Sequence, residues 1–315
     1  MERKYLVLDF GGTFVKYAWM DQDGNIIRKD KKPAPLACKE DFRKFVSERE
    51  EEDRSICGIA ISMPGILNPE TGYAYRAGSY KCLAGTNIYD LLREVTDIPV
   101  SIENDGKAAA LAEQWKGSLK DVSCGAAVII GTGLGGGIIM NHELQRGSHF
   151  AAGEITAVLM EPGNYSMEGS AALKTGMTAF LLDVAKTKKM NPADFEISSN
   201  FVDEDSEREN KISGKDVFKW IEEGDPETLE AYHRWLEALT FVLINLKVIL
   251  DPEKIVIGGG VSANERFLHD LKEEYKKAGE SMSVYKRFNC QIERCTFKED
   301  ANLLGALAVW KRLYE

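Results

Sequence analysis

The chain has 315 residues, of which 50 are acidic and 40 basic, for a net charge of −10. That length leaves room for two domains with cores of their own, while the negative balance opposes docking on nucleic acid or anionic lipid and points to a small soluble ligand. No apolar run reaches a membrane span, MERKYLVLDF lacks a signal peptide's core, and Cys38, Cys57, Cys82, Cys124, Cys290 and Cys295 form no CxxC pair, so a cytoplasmic protein with reduced structural thiols is expected.

In chain order, apolar runs predict strands at Tyr5 to Phe10, Ile56 to Ser62, Val100 to Ile102, Ala126 to Ile130 and Ile255 to Ile257. Helical patterns lie between several of them, which is the alternation of an α/β protein. The DQDGN stretch at Asp21 to Asn25 is a hairpin signal that pairs Tyr5 to Met20 with Ile26 onward. A second hairpin joins Ala126 to Ile130 with Gly136 to Met140 through GTGLGG. Residues 186 to 214 are polar and read as a solvated excursion. Beyond them, SGKDVFKWIEEG opens with a serine cap signal, and Asp225 to Leu250 is a long amphipathic stretch closed by Asp251-Pro252. Trp220 and Trp235 have the spacing of core or subunit packing.

Three glycine turns each follow a buried strand: Gly11-Gly12-Thr13 after LDF, GTGLGGG at Gly131 to Gly137, and Gly258 to Gly260. Glycine leaves backbone N–H groups unobstructed, as a phosphate oxygen requires. A fourth element is IENDGKAAALAE at Ile102 to Glu113, where an extended segment meets an alanine-rich helix. Its Asn and Asp suit a helix N-cap. A carboxylate held there also suits a group that takes a proton from a substrate hydroxyl.

Together these segments resemble the ROK family of sugar kinases and related repressors, within the actin-like ATPase superfamily. LDFGGTFVK is similar to the first phosphate motif, SMPGILNPETG to the SxPGxVD stretch, IENDGKAAALAE to ENDANAAALAE, and IIGTGLGGGIIMN to the second phosphate motif. GSHFAAGEI resembles the sugar-contacting GxxxxAGEIGH segment, DPEKIVIGGGVS the adenosine region and DANLLGALAVW the closing helix. The resemblance spans nearly the whole chain. It implies an actin-like (ribonuclease H-like) α/β fold of two lobes with a cleft between them. Residues 1–120 plus the helix 300–315 would form the first lobe, and 121–299 the second.

The activity implied is transfer of the γ-phosphoryl group of ATP to a sugar hydroxyl, with a homodimer expected. Asp105 would be the general base. Asp9 would hold Mg²⁺ through its water shell, and Gly11, Gly12, Thr13, Gly131, Thr132, Gly133, Gly258, Gly259 and Gly260 would contact ATP. Glu103, Asn104, Asp105 and Glu154 would contact the sugar. Lys16 reads as a solvated strand residue and His149 as a loop histidine.

The departures matter as much. The family's GEIGH is followed by a CxCGxxGCxE cluster that, with the histidine, binds structural zinc. Here Thr156 and Ala157 replace the glycine and histidine, and no cysteine lies between Cys124 and Cys290. Zinc is therefore not expected. The resemblance is closer to zinc-free members, among which are β-glucoside kinases, and the 6-hydroxyl of a hexose or β-glucoside is the expected acceptor. N-acetylmannosamine kinase, fructokinase or a sugar-sensing regulator are the alternatives. LDFGGT begins at Leu8, which leaves no room before it for a helix-turn-helix module. Thr86 stands where the family has a tryptophan.

Overall fold

The computed structural model describes residues 3–197, 211–282 and 290–315. Of the excursion read at 186 to 214, residues 198–210 lie outside the described part. The first half of the chain runs β1 (Lys4–Phe10), β2 (Phe14–Asp21), β3 (Ile26–Pro33), α1 (Lys39–Glu51), β4 (Ile56–Met63), β5 (Ile66–Asn68), β6 (Tyr73–Arg76), β7 (Thr86–Asn87), α2 (Ile88–Arg93), β8 (Val100–Asn104) and α3 (Asp105–Lys116). Next come β9 (Cys124–Ile130), β10 (Leu134–Met140), β11 (Glu143–Leu144), α4 (Ala172–Thr175), α5 (Met177–Thr187), α6 (Gly214–Glu222), α7 (Pro226–Leu250), β12 (Lys254–Gly258), α8 (Glu265–Ser281), β13 (Gln291–Arg294) and α9 (Ala301–Tyr314).

Two five-stranded sheets have the orders β3-β2-β1-β4-β8 and β11-β10-β9-β12-β13. In the first, β1 pairs antiparallel with β2 and parallel with β4, which is parallel to β8. In the second, β9 runs parallel to β12, and β12 parallel to β13. The two orders are the same pattern, with a hairpin on one side of a central strand and parallel strands on the other. Tyr5 to Met20, read as one partner of Ile26 onward, is two strands folded back on each other at Gly11-Gly12-Thr13, so that Phe10 faces Val15.

The chain divides into two compact units. The first holds residues 1–123, 136–153 and 296–315, the second residues 124–135 and 154–295. The core of the first is built on Phe10, Phe42 and Tyr80, all fully buried, with Phe10 and Phe42 ring centroids 4.7 Å apart. The second is centred on Trp235, whose ring stacks on Phe180 at 4.5 Å and whose indole N–H donates to Thr175 O at 2.8 Å. The cap signals act as read. Ser213 Oγ accepts from Asp216 N and the Asp216 carboxylate accepts from Ser213 N, which closes a capping box on α6, while Asp225 caps α7.

In the first unit α3 and α9 meet at Gly305, where an added Cβ would fall 1.7 Å from the carbonyl oxygen of Ala108. Alanine in a free helix is favoured over glycine by about 1 kcal/mol, whereas an overpacked contact costs about 1–3 kcal/mol, so the two effects oppose each other. Gly305→Ala is expected to lower the urea midpoint, and a raised midpoint would contradict the backbone contact between these helices.

Candidate active site

In the first unit, the end of β8 and the start of α3 place three consecutive polar residues, Glu103, Asn104 and Asp105, in a mostly apolar surrounding. Glu103 is 1 % exposed. Its Oε2 accepts from Nε and Nη2 of Arg146 at 2.9 and 2.7 Å, and its Oε1 accepts from Asn104 N at 2.9 Å. Both carboxylate oxygens are thus engaged by protein donors. Asn104 is the N-cap of α3. Its Oδ1 accepts from Lys107 N at 3.0 Å, and its Nδ2 donates to Gly65 O at 2.9 Å. The N-cap reading therefore belongs to Asn104.

Asp105 is the first residue of α3, a position where the helix dipole attracts negative charge, and it is half-buried. Its Oδ1 accepts from Gly106 N at 2.8 Å. Gly106 has no alternative, because a Cβ there would lie 2.5 Å from Gly136 N. The run GTGLGGG consequently has two jobs. Gly131-Thr132-Gly133 is an exposed turn, while Gly136 and Gly137 are buried strand glycines that let α3 approach closely.

Asp9, near the end of β1, is buried and accepts from Ser62 Oγ at 3.2 Å and Asn302 Nδ2 at 3.1 Å. Burial pushes its carboxyl up to about 6; the Asn302 hydrogen bond opposes that rise, and the charge of Asp105 adds to it. Lys16 offsets part of this while its Nζ donates to Glu299 O at 3.2 Å. Two carboxylates that repel one another across a short distance form a site that a divalent cation would relieve.

In both glycine turns the first amide has a partner within the turn. Gly11 N donates to Phe14 O at 3.1 Å and Gly131 N donates to Gly133 O at 3.0 Å, so each turn's first amide closes the turn itself. Gly12 and Thr13, and Thr132 and Gly133, remain as the outward members. Tyr80 Oη fixes the first turn by donating to Gly11 O at 2.7 Å. The first amides of α5 fix the second, Met177 N donating to Gly131 O and Thr178 N to Thr132 O at 3.0 and 3.1 Å.

Gly258 is the buried last residue of β12, so it too lies away from solvent. Gly259 has φ +88°, and a Cβ there would meet Ile130 O at 1.9 Å. Gly260 is exposed and lines a cavity of about 760 Å³ in the second unit, with Leu181, Phe218 and Val261 on its apolar side and Lys215 and Glu222 among its polar groups. Glu154 is half-buried and precedes a short 3-10 turn, Ile155–Ala157. His149 is exposed on its loop and Thr86 is half-buried on β7.

The segment that follows Ala157 is closed by backbone hydrogen bonds, Met160 N to Gly169 O at 2.7 Å and Ala171 N to Val158 O at 2.8 Å, and by a Glu161–Lys174 ion pair at 2.5 Å. Among the described residues no group of three or more His, Cys, Asp or Glu is arranged to hold a metal ion, and no helix is long and apolar enough to cross a membrane.

Residues 5–313 match the ROK family. The chain belongs to the ROK family. A β-glucoside kinase of Listeria monocytogenes is 30% identical over 307 residues, 96% of each chain. A glucokinase of Halalkalibacterium halodurans is 30% identical over 293 residues, 87% of this chain and 86% of its own. The crystal structure of a ROK family protein from Streptococcus pneumoniae in complex with sucrose superimposes with a TM-score of 0.83 at 26% identity, covering 98% of both chains. This ROK protein therefore has the mixed α/β fold with two five-stranded sheets that its motifs imply.

Ser62, Arg146, Lys107 and Asn302 escaped the sequence reading. Ser62 and Asn302 lie inside matched motifs, so a polar residue flanking the motif's known positions was the available signal. Nothing local marks Arg146 as the partner of Glu103.

Because folded Asp9 keeps its proton to about pH 6 while the unfolded chain releases it near 3.8, the unfolded state binds fewer protons in that window. Stability from this group is full below the lower value and is lost as pH rises through the upper one, a change on the order of 3 kcal/mol. The unfolding free energy of Asp9→Asn minus that of the wild type is expected to grow by about 2 kcal/mol between pH 4.5 and 7.5 in urea titrations without ligand. A pH-independent difference would exclude Asp9 as the buried charge.

Proposed function

We propose that this ROK protein is an ATP-dependent sugar kinase that phosphorylates a hydroxyl, the 6-hydroxyl, of a hexose or β-glucoside. The observation that carries the reading is Asp105, a half-buried carboxylate at the start of α3 close enough to the buried Asp9 to perturb its charge. Acceptor chemistry is assigned to the first unit. Nucleotide chemistry is assigned to the second, where the cavity beside Gly260 has apolar walls for a base and polar groups for a ribose.

Asp105 orients the sugar hydroxyl and accepts its proton as the oxygen bonds to the γ-phosphorus; the bond from that phosphorus to the bridging oxygen breaks, and ADP leaves with the electron pair. Gly12, Thr13, Thr132 and Gly133 donate to phosphate oxygens, stabilising the charge that spreads during transfer. Mg²⁺ bound with ATP would neutralise phosphate charge, and Asp9 would hold its water shell. Asn104 and Glu154 hydrogen-bond the sugar. Zinc has no assigned part, since Thr156 and Ala157 stand where the family has its glycine and histidine and no cysteine lies between Cys124 and Cys290.

Ala157 supports the choice of a glycoside. It is exposed and smaller than the histidine that the family motif carries there. Met160 packs on the core of the second unit and Tyr165 is 82% exposed. The glycoside reading also agrees with the names of the β-glucoside kinase relatives.

Asp105→Asn is expected to lower kcat by roughly 10²–10⁴ with sugar affinity and fold retained, because the change is isosteric and removes only the proton acceptor. Retention of more than about half the wild-type kcat would remove Asp105 from this role. In a coupled ADP-release assay, cellobiose is expected to match or exceed glucose in kcat/KM. A preference for glucose or N-acetylmannosamine above about tenfold, worth roughly 1.4 kcal/mol, would rule out the open pocket.

A further inference from the structure

An aromatic surface in the first unit has no part in the chemistry described so far. Strand β6 alternates, burying Ala74 and turning Tyr73 and Tyr75 outward, and Tyr75 is 50% exposed. The two tyrosine rings meet edge to face at 5.0 Å. Phe150 lies parallel to Tyr75, with centroids 6.2 Å apart and an interplanar angle of 19°. Phe150 has φ +58°, a left-handed conformation that bulky side chains avoid and that persists only where surrounding contacts impose it.

Both halves of this surface are tied to the residues flanking Asp105. On one side, Asn104 Nδ2 donates to Gly65 O; β5 begins one residue later, and its Ile66 pairs with Arg76, the neighbour of Tyr75. Gly65 is tightly seated, since a Cβ there would lie 2.0 Å from Arg76 O. On the other side, Lys107 is 1% exposed and its Nζ donates to Phe150 O at 3.2 Å. The segments that carry the rings are therefore each anchored to a residue within two positions of Asp105 in the chain.

We propose that Tyr75 and Phe150, with Tyr73 at the edge, form a subsite for the second ring of a β-glucoside, either a pyranose or an aryl aglycone. The inference rests on the sugar-kinase reading and names the substrate feature that site selects. The exposed tyrosine rings, with the half-buried Phe150 beside Tyr75, favour a ligand with a flat C–H or aromatic face, and the two tyrosine hydroxyls leave polar edges for a sugar's hydroxyls. A surface built only for packing would bury these rings, and a subsite for phosphate would carry cations in their place.

The test is calorimetric binding of cellobiose, 4-nitrophenyl β-glucoside and glucose to the wild type, Tyr75→Ala and Tyr75→Phe. Tyr75 is exposed, so the variants are expected to fold, and Tyr75→Phe keeps the ring. Tyr75→Ala is expected to weaken the two glycosides about fivefold, within the range of one aromatic contact, and glucose less than about twofold, with Tyr75→Phe close to wild type. Equal loss for all three sugars, or no loss for any, overturns the subsite. If the wild type phosphorylates glucose and cellobiose but the variants do not discriminate between them, the kinase reading stands and only the subsite falls. If no sugar binds and none stimulates ADP release, both fall.

Discussion

The junction of β8 and α3 constrains the rest of the first unit. Asn104 uses its side-chain oxygen to cap the helix and its amide nitrogen to hold Gly65, so the strand can end and the helix begin at one place only. Glu103 is locked by Arg146 on one side, and Gly106 is pressed against Gly136 on the other. Asp105 follows at the first position of the helix, where its Oδ1 accepts from Gly106 N, so its backbone is set by the same frame. A polar group held in such a frame has its orientation fixed before any ligand arrives.

The same economy governs the two glycine turns. In each, the first amide is consumed in closing the turn, and a buried donor from elsewhere in its own unit pins a turn carbonyl: Tyr80 Oη on Gly11 O, Met177 N on Gly131 O. The residues that follow in each turn lie at or near the surface, Gly12 and Thr13 in the first and Thr132 and Gly133 in the second. Both turns follow the central strand of a sheet with the same strand order, so a coarse echo between two glycine motifs corresponds to a repeated topology.

Asp9 shows the opposing demand. A buried carboxylate raised to about 6 lowers stability at neutral pH, and Ser62 and Asn302 compensate only in part. The segment after Ala157 is held by a Glu161–Lys174 pair and short backbone hydrogen bonds.

What the sequence by itself determined was local. The order of strands and helices, the Ser213 and Asp225 caps, the hairpin at Asp21 to Asn25, the place of each glycine turn and the N-cap at Asn104 are all set by residues within a few positions of one another, whose preferences survive in any surroundings. Family membership followed because the motifs are short and ordered. Only the tertiary structure decided which turn amides are engaged within the turn, that Glu103 is an anchor for Arg146 43 residues away, that Asn302 reaches Asp9 across 293 residues, and that Tyr75 and Phe150 lie nearly parallel. Those pairings depend on strand order and on helices brought to a sheet by glycines, and nothing in the local preference of an arginine, an asparagine or a tyrosine specifies its partner. Separation along the chain is what hides them, since the contacts arise from packing the two sheets' crossovers and not from any turn of the backbone nearby.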